Sequence, residues 1–501
     1  MKNKLEEFLR NNYSLIFIFL VGFVLIIGPF LIRNNLQGFD TAGQLASVYY
    51  IREIFWPWPG GWNSMFLAGF PQGLVYTPFF HWLVATISFV LPIKIAFKTV
   101  LSIAIIVFPI VYFFLSKKIF KNSLMAGFAL LVASVFYYFD LGLNDNLFSD
   151  LYFGMSPHLF SLTLLFAYLY SLYIFEEKPK QWYWSAIFMA LSVVTHVFTG
   201  IAVILFGLIY LLLSYKNKLV FVIILKHLFL AGLLSMWWWL PFILNIGYVT
   251  GSDIGSVVPG IMILIMPVVL VVNVASFFKK DNDIFLRAIS IFSSVVIVSF
   301  LIGRIFPVSH FPIHFSRFLV YPLLLMPIQL VYVFSNLKIN WQKLNVALIF
   351  IFGFYFFFFK ITPVGPFDAF VINEVDRLYQ AGRTIVTGDS RFLDDRFHVT
   401  RAKLAIEEKV PTSEGLFVES SANGWFIMSL MKSWESTQPT FVWAYDNLRD
   451  VVDLRWATNI FGINYEYRIN DKKPSKEIND LKIIKESLTP STATTTEEIA
   501  S

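Results

Sequence analysis

Ionisable side chains are rare in this chain, and the few that could do chemistry lie in hydrophilic segments between long apolar runs. Of the 501 residues, 57% are hydrophobic and 14% are charged, whereas roughly a quarter of the residues of a soluble domain are charged. Asp40 follows soon after the first apolar run and is the candidate catalytic residue. A carboxylate held at an interface can act as a general base that takes the proton of an attacking hydroxyl group.

Arginine and histidine residues form the second set of candidates. Arg304 and Arg317 stand at the two ends of the segment RIFPVSHFPIHFSR, and a planar guanidinium suits phosphate better than an ammonium group does. Both are therefore candidates for binding phosphate, Arg317 first. Ionisable groups at membrane depth are costly and usually line an aqueous cavity. Further candidates, for orienting an acceptor or a metal ion, are Asp150, His158, His196, His310 and His314.

Structural interpretations compete with each of these assignments. Asp40 can serve as a helix N-cap, since Thr41 and Gln44 resemble a capping box at the start of a helix. Arg317 can extend along its helix end to lipid phosphates, and His196, in SVVTHVFTG, can be a hydrogen-bonded helix-end residue. No segment has the strength of a zinc or phosphate-loop signature, so the chemistry is predicted from the whole constellation.

Basic clusters recur along the chain and predict its topology. Lys and Arg near helix ends favour the cytoplasmic side, and successive clusters enclose two apolar runs and one loop with few basic residues. This alternation predicts a polytopic α-helical membrane protein of about eleven transmembrane helices, with a cytoplasmic N-terminus and an external C-terminus. The predicted spans are 14–32, 96–116, 122–139, 158–175, 181–197, 199–214, 220–240, 257–277, 284–303, 317–335 and 343–360.

Residues 74–92, LVYTPFFHWLVATISFVLP, form an apolar run that does not fit the alternation. Counting this run as a span would place every later basic loop outside. We therefore expect a re-entrant or interfacial helix within an external loop 33–95, where protein can satisfy the helix ends. Trp56, Trp58 and Trp62 in this loop suit the headgroup level of the bilayer.

After Lys360 the composition changes to that of a mixed soluble domain. RTIVTG, GLFVES and INYEYRI are typical of short strands separated by Gly and Asp turns. The final residues are rich in Ser and Thr, which favours disorder. We predict three parts: a transmembrane domain 1–360, a small soluble extracytoplasmic α/β domain 361–480 and a disordered tail 481–501.

Several segments resemble the GT-C superfamily of membrane glycosyltransferases. The similar features are an early aspartate after the first helix, the stretch LAGFPQGLVYTPFFHW, an acidic loop ending FSDLYFG, a helix ending in Thr-His, the run WWWLPF and a late HFSRFLVYP segment. After the last helix, the order GRTIV, GLFVESSANGWF and FGINYEYRI resembles a prokaryotic branch labelled the 6-pyruvoyl-tetrahydropterin synthase-related membrane domain. The resemblance extends over nearly the whole chain, on loose motifs.

The resemblance implies a GT-C-like transmembrane domain in the plasma (cytoplasmic) membrane. It implies an enzyme that transfers a sugar from a polyprenyl-phosphate donor to an extracytoplasmic acceptor, which is a cell-envelope glycan, a lipid or a protein. Asp40 has no acidic neighbour in the sequence, whereas some relatives carry an adjacent acidic pair at this place. This departure leaves open whether a divalent cation such as Mg²⁺ or Mn²⁺ is a cofactor.

Other functional classes remain open at the level of sequence. One is a flippase or transporter for lipid-linked glycans, and another is a non-catalytic membrane protein that binds envelope polymers. Nucleic acid is not expected as a partner, because no basic motif is interleaved with stacking aromatic residues.

Overall fold

The computed structural model describes residues 2–21, 41–65, 69–74, 76–138, 155–175, 177–246, 260–279, 283–305, 315–358, 383–388, 463–469 and 480–483. Thirteen α-helices and five strands occur in these residues. Asp40, Asp150, His310 and His314 lie outside them, and at Arg304 only the backbone is described. The structure therefore describes the side chains of the other three candidates.

Long apolar helices make up most of the described chain. Each predicted span overlaps one helix of the structure, because a run of this hydrophobicity favours an element whose backbone hydrogen bonds are all internal. In chain order the helices are α1 (Lys2–Val21), α2 (Thr41–Tyr50), α3 (Phe79–Ile87), α4 (Ile93–Phe120), α5 (Ser123–Tyr138), α6 (Ser156–Ile174), α7 (Tyr183–Thr195), α8 (Val197–Leu213), α9 (Lys218–Leu244), α10 (Gly260–Phe278), α11 (Ile284–Ile305), α12 (Val320–Phe334) and α13 (Trp341–Phe358).

Within the described ranges, four helices are long and apolar enough to cross a membrane, judged by length and composition. They are α4, α6, α9 and the Ile284–Ile302 part of α11. The other apolar helices that match predicted spans are shorter over their described residues. The structure thus has the helical, membrane-spanning character that the sequence predicts, while the count of about eleven spans remains a prediction.

Contacts at one end of the helices join helix ends that the charge pattern predicts on a common face. Lys118 Nζ near the end of α4 lies 2.5 Å from Glu177 Oε2, just after α6. Lys279, just after α10, donates from Nζ to Ser335 Oγ at the end of α12 over 2.7 Å. The first contact therefore brings together the C-terminal ends of α4 and α6, and the second those of α10 and α12.

Aromatic side chains fill the space between α4, α5 and α6. Phe108 of α4 stacks on Tyr137 of α5 with ring centroids 4.1 Å apart, and it meets Phe166 of α6 edge-on at 5.2 Å. Such pairs add stabilisation beyond the burial of apolar area. Tyr112 OH of α4 also donates to Leu324 O of α12 at 3.0 Å. These contacts hold α12, and the turn that precedes it, against the aromatic core.

The segment from α2 to α3 is built from short elements. α2 continues into a π-helical turn, Ile51–Phe55, and β1 (Gly61–Asn63) pairs with β2 (Phe70–Gln72) before α3 begins. The nine residues of α3 make a helix about 13 Å long, whereas the hydrocarbon core is about 30 Å thick. The described residues of this segment therefore contain no single helix of spanning length, and the re-entrant or interfacial helix stays a prediction.

Exposed apolar side chains cover one surface of the same segment. Trp56 stacks on Trp82 of α3 with ring centroids 5.6 Å apart, and Trp82 Nε1 donates to Pro57 O at 3.0 Å. Trp58 is 71% exposed and Val90 is 87% exposed. Aromatic rings with one apolar and one polar end suit the headgroup region. We call this surface the aromatic patch, and its members are Ile54, Trp56, Trp58, Phe89 and Val90.

The chain divides into two compact units, and the thirteen helices of the described residues lie in the first, which comprises Met1–Gly61, Gly73–Gly247 and Ile254–Phe367. The second comprises Trp62–Gln72, Tyr248–Asp253 and Asp368–Ser501. It contains a sheet in which β3 (Arg383–Gly388) pairs in parallel with β4 (Ile463–Ile469), and β4 pairs antiparallel with β5 (Asp480–Ile483).

Two of the three predicted strand segments in this region, RTIVTG and INYEYRI, are the strands β3 and β4. The third, GLFVES, lies outside the described residues. β5 takes in the first three residues of the segment 481–501 that the sequence assigns to a disordered tail. Their alternation of polar and apolar side chains suits an antiparallel strand, and the disordered tail stays a prediction.

Candidate active site

Three of the predicted functional residues come together at one end of the helices. His158 lies in the first turn of α6 and His196 lies between α7 and α8, and their ring centroids are 4.7 Å apart. Arg317 lies in a 3₁₀ turn just before α12, with its Cζ atom 5.6 Å from the ring centroid of Phe198. The Phe198 ring lies 5.5 Å from that of His196. Three separate segments of the chain therefore supply one cluster.

His196 occupies a break between two antiparallel helices. α7 ends at Thr195, His196 is extended (φ −156°, ψ 125°), and α8 begins at Val197. A Cβ atom at Gly200 would lie 2.9 Å from Val193 Cα, so the helices approach each other more closely than any other residue at position 200 would permit. The break points the N-terminus of α8 into the cluster, and a helix N-terminus carries partial positive charge and unpaired N–H donors.

Three hydroxyl groups connect the two histidines to α12. Thr199 Oγ1 lies 2.6 Å from Ser161 Oγ, 3.0 Å from Tyr321 OH and 3.3 Å from His196 Nδ1. Ser161 Oγ donates to the backbone carbonyl of His158 at 2.7 Å. These hydroxyl residues were not among the candidates predicted from the sequence, and they tie α6, α8 and α12 together at the cluster.

The guanidinium of Arg317 has little of its hydrogen-bonding capacity used. Its Nη1 donates to the thioether sulfur of Met155 at 3.2 Å, and sulfur of this kind is a weak acceptor. The two ion pairs found among the described residues involve other cations, Arg52 and Lys118. The side chain is partly exposed, so its remaining donors are accessible to an anion. Lipid-facing extension is the alternative for this residue, but its stacking on Phe198 directs it towards the cluster.

The two histidine rings lie in surroundings that disfavour positive charge. Both are buried, and His158 and Arg317 are close enough to act electrostatically on His196. A proton added to His196 would place a further positive charge beside Arg317 in a buried position. We therefore expect the imidazole of His196 to be neutral, with one N–H donor and one acceptor nitrogen.

A second polar network fixes the start of the α2–α3 segment. Gln44 of α2 makes hydrogen bonds through its amide to Tyr76 OH, at 3.2 Å, and to His81 Nε2 on α3. Burial lowers the pKa of His81 to about 3, and a hydrogen bond with the backbone of Thr77 acts weakly in the opposite direction. His81 is therefore neutral. The capping-box interpretation of Gln44 was wrong, because its side chain reaches α3 and the chain before it.

This network is joined to the histidine cluster by one hydrogen bond. Thr77 Oγ1 donates to the carbonyl of Thr195 at 2.7 Å, immediately before His196. α3 and its network thus hold α2 close to the α7–α8 break. Asp40, which lies outside the described residues, directly precedes Thr41, the first residue of α2.

Metal ligands are incomplete in the part of the site that the structure describes. No three His, Asp or Glu side chains come together among the described residues, and the nearest approach to such a group is the pair His158 and His196. Imidazole nitrogens suit Zn²⁺ and later transition metals, whereas Mg²⁺ and Mn²⁺ prefer oxygen ligands. The two imidazoles alone therefore do not fit the divalent cations that the sequence left open.

No family model and no curated protein matches this chain. Among solved structures, it is similar to the crystal structure of ArnT from Cupriavidus metallidurans in the apo state, with a TM-score of 0.41 and 11% sequence identity. The match covers 82% of this chain and 74% of that chain. A similarity at this level assigns neither fold nor function, so what the site can do must follow from its own residues.

Proposed function

We propose that this protein is a GT-C-like membrane glycosyltransferase that moves a sugar from a polyprenyl-phosphate carrier to an extracytoplasmic acceptor. The observation that carries the proposal is the meeting of Arg317, the N-terminus of α8 and two histidines at one end of long apolar helices. The acceptor is a hydroxyl-bearing glycan, lipid or protein of the cell envelope. The protein then works in the plasma membrane with the bilayer itself as a partner.

Phosphate binding is assigned to Arg317 and the first turn of α8. A guanidinium forms paired, charge-assisted hydrogen bonds with phosphate oxygens, and the N–H groups at a helix N-terminus favour the same anion. Because Arg317 stacks on Phe198 in the first turn of α8, both donors face one volume. Arg304, in the last turn of α11, is proposed as a second phosphate ligand.

The reaction needs one base and one stabilised leaving group. The acceptor oxygen attacks the anomeric carbon of the sugar, the bond from that carbon to the phosphate oxygen breaks, and polyprenyl phosphate leaves with the bonding electron pair. The hydroxyl proton goes to the carboxylate of Asp40, a transfer that usually contributes about 10²- to 10⁴-fold to the rate. Arg317 meets the charge that grows on the phosphate as the bond breaks.

The histidines are assigned to orientation of the acceptor. A neutral imidazole offers both a donor and an acceptor nitrogen to sugar hydroxyl groups. His158 and His196 are proposed for this task, together with Asp150, His310 and His314. Each of the last three stays a prediction from the sequence.

The external segment explains how a lipid-bound donor is presented. The Thr77 to Thr195 hydrogen bond holds the α2–α3 segment next to the cluster, and the aromatic patch suits the headgroup region. This combination supports a reaction centre at headgroup depth, where the phosphate of a membrane-anchored carrier lies. In this proposal, the long α2–α3 segment covers the reaction centre.

The test is a transfer assay on purified protein reconstituted in lipid vesicles. A radiolabelled polyprenyl-phosphate sugar is incubated with candidate acceptors, and both released polyprenyl phosphate and labelled product are measured. We expect both products from the wild type and neither from Asp40→Ala, with unchanged expression and thermal unfolding. Asp40→Asn serves as the matched control for shape, and we expect it to be inactive as well because an amide cannot take the proton.

Two other outcomes would overturn the proposal. Movement of intact donor across the vesicle membrane without cleavage would favour a flippase, and binding of envelope polymers without turnover would favour a non-catalytic receptor. Normal turnover by Asp40→Asn would remove the catalytic assignment even if the wild type transfers sugar.

A further inference from the structure

The hydroxyl groups around His196 form a hydrogen-bond chain whose direction can be derived. Ser161 Oγ lies 2.7 Å from the carbonyl oxygen of His158. A carbonyl oxygen can only accept, so the single Ser161 proton must point to it. If that proton pointed elsewhere, two oxygen atoms would face each other at hydrogen-bond distance with no proton between them.

The direction of the Ser161 hydrogen bond determines the donor in each of the other hydrogen bonds. Since Ser161 has already donated its proton, the 2.6 Å contact with Thr199 Oγ1 requires Thr199 to donate to Ser161. Thr199 then has no proton left and two lone pairs to offer. Tyr321 OH at 3.0 Å must therefore donate to Thr199, and so must His196 Nδ1 at 3.3 Å.

These hydrogen-bond directions determine the tautomer of His196. We infer that Ser161, Thr199 and Tyr321 are positioning residues that hold His196 as the Nδ1–H tautomer, so that its Nε2 lone pair faces a hydroxyl group of the bound substrate. The inference deepens the proposed function, on which the identity of that hydroxyl rests. The tautomer itself is inferred only from the geometry of these hydrogen bonds.

The surroundings of His196 agree with this role. Its ring is 5% exposed, and the part of the chain that the structure describes supplies it with no side-chain hydrogen bond besides that of Thr199. Nε2 lies on the opposite side of the imidazole from Nδ1, away from Thr199. A neutral imidazole held in one tautomer presents an acceptor where an acceptor hydroxyl can donate, which steers the oxygen lone pair of that hydroxyl towards the sugar carbon.

The experiment reads the tautomer directly. Protein labelled with ¹⁵N-histidine is reconstituted in lipid bilayers, and solid-state NMR distinguishes protonated from unprotonated ring nitrogens. His196→Gln identifies the His196 signals by their loss. We expect one protonated Nδ1 and one unprotonated Nε2 for His196 in the wild type, and a mixture of both tautomers in Thr199→Val, whose side chain has the same shape without the hydroxyl.

Thr199→Ser is the matched control, because it keeps the hydroxyl and should restore the single tautomer. In the transfer assay, Thr199→Val should lower kcat/KM about ten- to a hundred-fold, as loss of a group that orients a functional histidine commonly does, and Thr199→Ser should recover most of it. A wild-type His196 protonated on Nε2 or on both nitrogens overturns the inference without any variant having to fold. Failure of the wild type to transfer sugar, with the expected tautomer observed, would instead overturn the proposed function and its substrate hydroxyl.

Discussion

Side chains of the site were predictable from the sequence to different degrees. His158, His196 and Arg317 were predicted because ionisable groups on one predicted face had to be accommodated, and the structure brings these three together. Thr199 and Ser161 were missed because hydroxyl residues in apolar helices usually bond back to their own backbone. A signal was present in the sequence, since His158 and His196 are each followed three positions later by a hydroxyl residue, Ser161 and Thr199.

Replacement of Arg317 tests the phosphate assignment. Arg317→Lys keeps the charge but loses the planar fork and the stacking on Phe198, and the two cations are not equivalent at such sites. We expect kcat/KM for the donor to fall roughly 10- to 100-fold, which corresponds to loss of a charged hydrogen bond of about 1.5–3 kcal/mol. Steady-state kinetics over a range of donor concentration measures the change.

The matched control is Arg287→Lys on the far end of α11, a residue with no place in the cluster. We expect this control to leave the donor kinetics unchanged. Wild-type kinetics in Arg317→Lys would contradict phosphate binding by the guanidinium fork.

The buried His81 predicts a dependence of stability on pH. Its pKa is about 3 in the folded protein against an ordinary value of 6.5, so between these values the unfolded chain binds a proton that the folded chain does not. The free energy of unfolding should therefore fall as pH drops below about 6.5, by up to about 1.4 kcal/mol per pH unit. Thermal unfolding in detergent from pH 7 to pH 4 measures the slope.

His81→Gln removes this titration and keeps an amide that can reach Gln44. Its unfolding temperature should vary less with pH than that of the wild type. Equal pH slopes in the two proteins would show that His81 is not the group responsible.

The positions of the helices were predicted better than the geometry of the breaks between them. The apolar runs from 96–116 onward predicted their helices to within about four residues at each end, because hydropathy reports where a helix must satisfy its own backbone. The first run, 14–32, did not predict the start of α1 at Lys2. The position of the break at His196 was predicted as the boundary between the spans 181–197 and 199–214. The geometry of the break was not predicted. The tight return of α8 onto α7 depends on what lies opposite Gly200, which is a tertiary contact that local sequence does not contain.

Gly200→Ala tests the importance of this close approach. The new Cβ would lie 2.9 Å from Val193 Cα, and a backbone atom cannot move aside as a flexible side chain can. The helices should separate slightly and displace Thr199 and His196. We expect a lower unfolding temperature, by an overpacking cost of about 1–3 kcal/mol, together with a loss of transfer activity.

Gly232→Ala in α9 is the control with matched chemistry. A Cβ atom there would meet nothing within 4 Å, so the change should stabilise the helix by about 0.5–1 kcal/mol. Thermal unfolding of the two variants side by side gives the comparison. If both alanine variants behaved alike, the packing of α7 on α8 would not be limiting.

For the whole molecule, charge asymmetry predicted which helix ends lie together. The contacts of Lys118 with Glu177 and of Lys279 with Ser335 join ends that the sequence placed on one face. What charge could not predict is the path of the external segment. That path depends on a few long-range hydrogen bonds, such as Thr77 to Thr195, whose partners are more than a hundred positions apart.

Single-cysteine variants test the predicted orientation of the whole chain. The natural sequence contains no cysteine, so each introduced thiol reports alone. Trp58→Cys and Lys121→Cys both replace exposed residues, at opposite ends of the helices. With an impermeant maleimide, Trp58→Cys should be labelled in intact cells and Lys121→Cys only in inverted vesicles. Labelling of both positions from the same side would contradict the topology.

The aromatic patch beside the site also determines how substrate supply would be regulated. Under the proposed function, a carrier anchored by its lipid tail would reach the α2–α3 segment by lateral diffusion within the membrane plane. The turnover rate should then follow the mole fraction of carrier among the surrounding lipids. Fusing empty vesicles with the loaded ones should slow the enzyme by surface dilution, while doubling the aqueous volume should leave its speed unaltered.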